Sequence, residues 1–78
     1  MNYRFFKQVS NQDGQEVLSF FLHDKPDVPL ITYNLDVLRQ FREDQGELAV
    51  AKSIHTVLSV ILKSPVSSEE IEYAVEDI

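Results

Sequence analysis

The sequence has no cysteine and no tryptophan, and its 78 residues include only two glycines and three prolines. Without cysteine, neither a disulfide nor a thiolate zinc site can brace the fold. A domain of this length leaves roughly 3 to 5 kcal/mol of net stability from one small core, so close packing or self-association has to supply the rest. The scarcity of glycine and proline, with 44% apolar and 26% charged residues, is the composition of a folded globular domain rather than a disordered chain. A single small domain over residues 1–78 is therefore expected.

Long hydrophobic runs are also missing. No stretch approaches the ~18 to 20 apolar residues that a membrane span requires, and the opening MNYRFFKQ is too polar for a secretory signal. A soluble, cytoplasmic setting without membrane attachment is the expectation. Basic charge is scarce too: seven Lys and Arg stand against thirteen Asp and Glu, a formal net charge of -6. That balance argues against direct binding of nucleic acid or anionic membrane, both of which need phosphates to be neutralised. The two glycines, at positions 14 and 46, are too far apart for a phosphate-cradling loop.

The acidic charge is unevenly placed. Through Ser68 the chain is close to neutral, and Glu69, Glu70, Glu72, Glu76 and Asp77 carry most of the excess. These lie in VSSEEIEYAVEDI, where Ser67 and Glu70 have the spacing of a capping box. Ile71, Ala74, Val75 and Ile78 fall on one side of a helix, so a docked helix over about 67–78 is expected rather than a loose arm.

Turn chemistry organises the other end. YRFFKQV (3–9) and EVLSFFLH (16–23) flank Asp13-Gly14, the strongest short-range hairpin signal. A two-residue turn there pairs Val9 with Leu18, Lys7 with Phe20 and Phe5 with Leu22 on one side of the ribbon. Phe6 with Phe21, Gln8 with Ser19, Ser10 with Val17 and Arg4 with His23 take the other side. After the turn DKPD, VPLITY (28–33) reads as a third strand at an edge, because Pro29 has no donor for a ladder. Asn34 is a candidate N-cap for a helix over 35–45, with Gly46 at the stop position; the alternative continues the strand into Leu35 and Val37. ELAVAKSIHTVLSVILK (47–63) is rich in β-branched residues, but its length without Gly or Pro decides for a helix. Its apolar face is expected to hold Val50, Ile54, Val57, Leu58 and Ile61, widened by Leu48, Val60 and Leu62. Its polar stripe holds Lys52, His55, Thr56, Ser59 and Lys63. The order predicts an α+β fold: a hairpin and a third antiparallel strand, followed by two or three helices packed on one face of the sheet and leaving the second face uncovered.

Catalytic and metal-binding chemistry find little support. There is no nucleophile elbow, and His23 and His55 lie on different elements without a triad pattern. His23, Asp24 and Asp27 could gather at a turn but match no ligand spacing. No enzyme activity, metal or cofactor is expected. Two surfaces stand out instead. Phe6, Phe21 and Val17 would form an apolar patch on the second sheet face, unless a helix or the N-terminus folds over it. Glu69, Glu72, Glu76 and Asp77 form the outer face of the last helix. The first two acids of that helix suit its positive N-terminal end, whereas Glu76 and Asp77 sit where the dipole disfavours them. They call for a cation, either Lys52 or Lys63 within the chain or a basic surface on a partner.

The function expected is that of a small noncatalytic intracellular interaction or regulatory module, homodimeric, binding a protein partner through Phe6, Val17 and Phe21 and through Glu69, Glu72, Glu76 and Asp77. The alternative is an acidic nucleic-acid mimic or inhibitor of a nucleic-acid-binding protein, of phage or plasmid type; its mark would be a two-dimensional array of acids. An enzyme or ligand-binding domain would need a concave pocket holding His23 or His55.

Overall fold

A computed structural model describes residues 3–78. It has three antiparallel strands in one open sheet followed by three helices, an α+β fold. The chain forms two compact units, one ending at Leu38 and the other beginning at Arg39.

In the first unit, β1 (Phe5–Gln12) and β2 (Gln15–Leu22) form the expected hairpin. Asp13 and Gly14 have φ of 54° and 81°, the two positive values that a type I′ turn requires, and the Asn11 side chain accepts from the Gly14 amide at 3.1 Å. The turn sets the register, with Val9 opposite Leu18, Phe6 opposite Phe21 and Phe5 opposite Leu22. The third strand, β3 (Ile31–Asn34), starts later than expected. Pro29 cannot donate, and Val28 lies exposed outside the ladder. The Leu30 amide nevertheless reaches the Phe20 carbonyl at 2.7 Å and leads the chain into pairing.

The sheet order β1-β2-β3 makes β2 central, and it is buried at five consecutive positions from Val17 to Phe21. On one face Phe5 and Phe20 meet edge to face at 5.6 Å, and Phe20 meets Tyr33 at 6.3 Å. The second face is not bare, contrary to expectation. Phe21 is 8% exposed and Val17 7%, Phe6 stacks on Phe21 at 5.0 Å, and the Ser19 and Thr32 hydroxyls hydrogen-bond at 2.9 Å. Asn34 ends β3 and caps α1 (Leu35–Gln45), its side-chain oxygen accepting from the Val37 amide at 3.1 Å and its amide donating to Gln15 at 2.7 Å. The helix, not the continued strand, follows Asn34.

In the second unit, Gly46 at φ 94° separates α1 from α2 (Glu47–Leu62). Helix α2 ends one residue before the expected boundary because Lys63 takes the left-handed conformation, its amide and that of Ser64 closing on the Ser59 and Val60 carbonyls. Val50, Ile54 and Leu58 form its buried face, with Val57 and Ile61 half-buried. Leu48 and Val60 do not widen that face: they are 68% and 71% exposed, since they lie round the helix from the Val50–Ile54–Leu58 stripe. Helix α3 (Ser68–Val75) is capped by Ser67 and stops short of residue 78. Its last amides tighten into i to i+3 bonds, Glu76 to Tyr73 and Ile78 to Val75, consistent with acids at an end the dipole disfavours.

Candidate functional site

The acidic helix is firmly seated. Ser67 Oγ accepts from the Glu70 amide at 3.1 Å while the Glu70 carboxylate accepts from the Ser67 amide at 3.0 Å. The Glu70 carboxylate is buried in this reciprocal box, and Ala74 is fully buried behind it. The loop before the helix is pinned as well. The Val66 amide donates to Ser59 Oγ at 3.0 Å, and the Val66 carbonyl accepts from His55 Nε2 at 3.0 Å. A carbonyl only accepts, so His55 must carry its proton on Nε2, a condition met by the neutral Nε2 tautomer and by the imidazolium alike.

The cations at the C-terminal end of α3 come from α1. Arg39 donates to the Asp77 carbonyl at 3.1 Å and Arg42 donates to the Ile78 carbonyl. Both bonds go to backbone carbonyls just past the end of the helix; for the Glu76 and Asp77 carboxylates themselves the expectation is Lys52, Lys63 or a basic surface on a partner. The spacing of Arg39 and Arg42 on one side of α1 was the signal available in the sequence.

With its inner side held, α3 presents Glu69, Glu72, Glu76 and Asp77 as exposed residues. Glu69, Glu72 and Glu76 recur every three to four residues and so form one stripe. Of the apolar group proposed on the sheet, only Phe6 is half-exposed, its ring lying between Phe21 and His23, which is 5.5 Å away. His23 Nε2 meets the Tyr3 carbonyl at 2.9 Å. The sheet residues and the acidic residues belong to different units.

Among the described residues, the second unit carries hollows beside α2 and α3. One, of about 240 Å3, is lined by Arg42, Glu47, Val50, Val75, Glu76 and Ile78. The other, of about 400 Å3, is shallow, takes Leu48, Ala51, Lys52, His55 and Thr56 from α2 and Ile71 from α3, and is mostly apolar. Among the described residues, no group of three or more His, Asp or Glu is placed to hold a metal ion, and no helix is long and apolar enough to cross a membrane. Comparison with protein-family models, with curated proteins and with solved structures finds no match.

Proposed function

We propose that the chain is a small noncatalytic intracellular interaction module, homodimeric, which captures a protein with a basic surface on the outer side of α3 and so occludes or bridges that partner. The observation that carries this reading is the contrast between the two sides of one helix. The inner side is capped and buried and the residues just after the helix are held by two arginines, while Glu69, Glu72, Glu76 and Asp77 are exposed. A helix already held in place presents its charges without the ordering cost that a disordered arm would meet on binding. Exposed acids of this kind contribute more to association rate and specificity than to affinity. Phe6, the half-exposed member of the sheet group, is the aromatic contact proposed for the partner, its ring stacked on the buried Phe21.

The test is affinity capture from the lysate of the source cell, comparing the wild type with Glu69→Lys/Glu76→Lys and with Phe6→Ser. Each variant is first shown by circular dichroism to be folded. A specific protein retained by the wild type and lost by the charge-reversed variant supports the proposal. Retention unchanged by charge reversal, or no specific protein retained by the wild type, overturns it.

A further inference from the structure

The shallow hollow between α2 and α3 has the basic Lys52 in its lining, and the acidic Glu72 stands just outside it beside Ile71. The floor of the hollow is Leu48, Ala51 and Ile71, with Leu48 mostly exposed. On the α2 side the exposed Lys52 stands at the edge. On the α3 side, Glu72 follows Ile71 and lies about 100° further round the helix, on the outer crest, where it is exposed. Among the described residues neither the Lys52 ammonium nor the Glu72 carboxylate has an ion-pair partner. The wall is preformed, since His55 is fixed to the Val66 carbonyl and Ser59 to the Val66 amide.

We infer that this hollow is the surface on which two copies of the chain meet, about a two-fold axis running along it. The inference rests on the homodimer reading above and assigns that dimer its face. An isologous interface has to be complementary to itself. A surface made of a basic rim, an apolar floor and an acidic rim meets this condition. Rotation about an axis along the floor lays the Lys52 rim of one copy over the Glu72 rim of the other, twice, and covers Leu48 and Ile71 with each other's copies. A foreign segment of one charge would be attracted by one rim and repelled by the other, whereas a second copy satisfies both. Glu69 lies further round α3 from Ile71 than Glu72 does, so the dimer leaves it exposed to the partner proposed above.

Sedimentation equilibrium of the full chain tests this with four samples beside the wild type: Lys52→Glu, Glu72→Lys, an equimolar mixture of those two, and the double variant. The wild type is expected to be a dimer, and each single variant to dissociate with a constant raised at least about tenfold, because like charges then face each other twice. The mixture restores the dimer: the introduced glutamate faces the introduced lysine, and Glu72 of one chain faces Lys52 of the other. The double variant restores it for the same reason, and a chain that had merely lost its fold would recover in neither case. A wild-type dimer indifferent to both single variants overturns this surface and leaves the homodimer reading in place. A wild type that stays monomeric overturns both.

Discussion

Among the described residues, the Tyr33 hydroxyl is a buried polar atom without a hydrogen-bond partner, and burial raises its pKa above the ordinary phenol value of 10.0. An unsatisfied buried hydroxyl costs about 1 to 3 kcal/mol, so Tyr33→Phe is expected to stabilise the chain by about 1 kcal/mol in urea unfolding. The pH dependence has a definite sign. The neutral phenol is the form the fold favours, so its contribution is complete below pH 10 and is lost as pH rises through the higher folded value. The variant should therefore lose less stability than the wild type between pH 10 and pH 12, which urea midpoints across that range would measure. Gly14 tests a second local claim. At φ 81° with no atom within 4 Å of an added Cβ, Gly14→Ala meets only backbone strain and should cost about 1 kcal/mol in the same assay. At this scale the sequence was legible where the partner is adjacent, as with Asn34 and the Val37 amide. It was not legible where the partner is distant. His55 to Val66, and Arg39 and Arg42 to the end of α3, depend on how helices are placed, which side-chain spacing alone does not state.

Elements with chemically explicit ends were read closely. Asp13-Gly14 determined the whole hairpin register, and Asn34, Gly46 and Ser67 marked helix boundaries, because caps and turns are short-range bonds between neighbours. Helix α3 is the clearest test of that logic. Ser67→Ala removes one half of the capping box and should destabilise the chain by about 1 kcal/mol, with faster amide exchange at Glu70 and Ile71 than at Ile54 of α2. Equal acceleration at Ile54 would mean that α3 and α2 open as one unit. What the elements did not disclose was coverage. Alternation assigned Phe6, Val17 and Phe21 to one face of the ribbon correctly, yet it carried no information about how deeply that face is buried. The same limit applied to α2, whose broad run of apolar residues hid the fact that Leu48 and Val60 point outward.

For the whole molecule, the informative quantity is the placement of charge. A chain that is nearly neutral through Ser68 and acidic beyond it concentrates its field on one helix, and that asymmetry was plain from composition. The reason for it was not, since the same acids could have served internal pairing. Arginines bond the backbone just past the helix end, and the carboxylates of Glu69 and Glu72 are exposed; the role proposed for them is toward other molecules. The central claim is that this face steers a basic partner into contact, and steering by exposed charge is screened by salt. The most direct measurement is the association rate of the chain with the protein it retains from lysate, followed by stopped flow from about 0.05 M to about 0.5 M sodium chloride. A fall in association rate of about tenfold or more, with the dissociation rate changing far less, is the result the account predicts; an association rate indifferent to salt would contradict it.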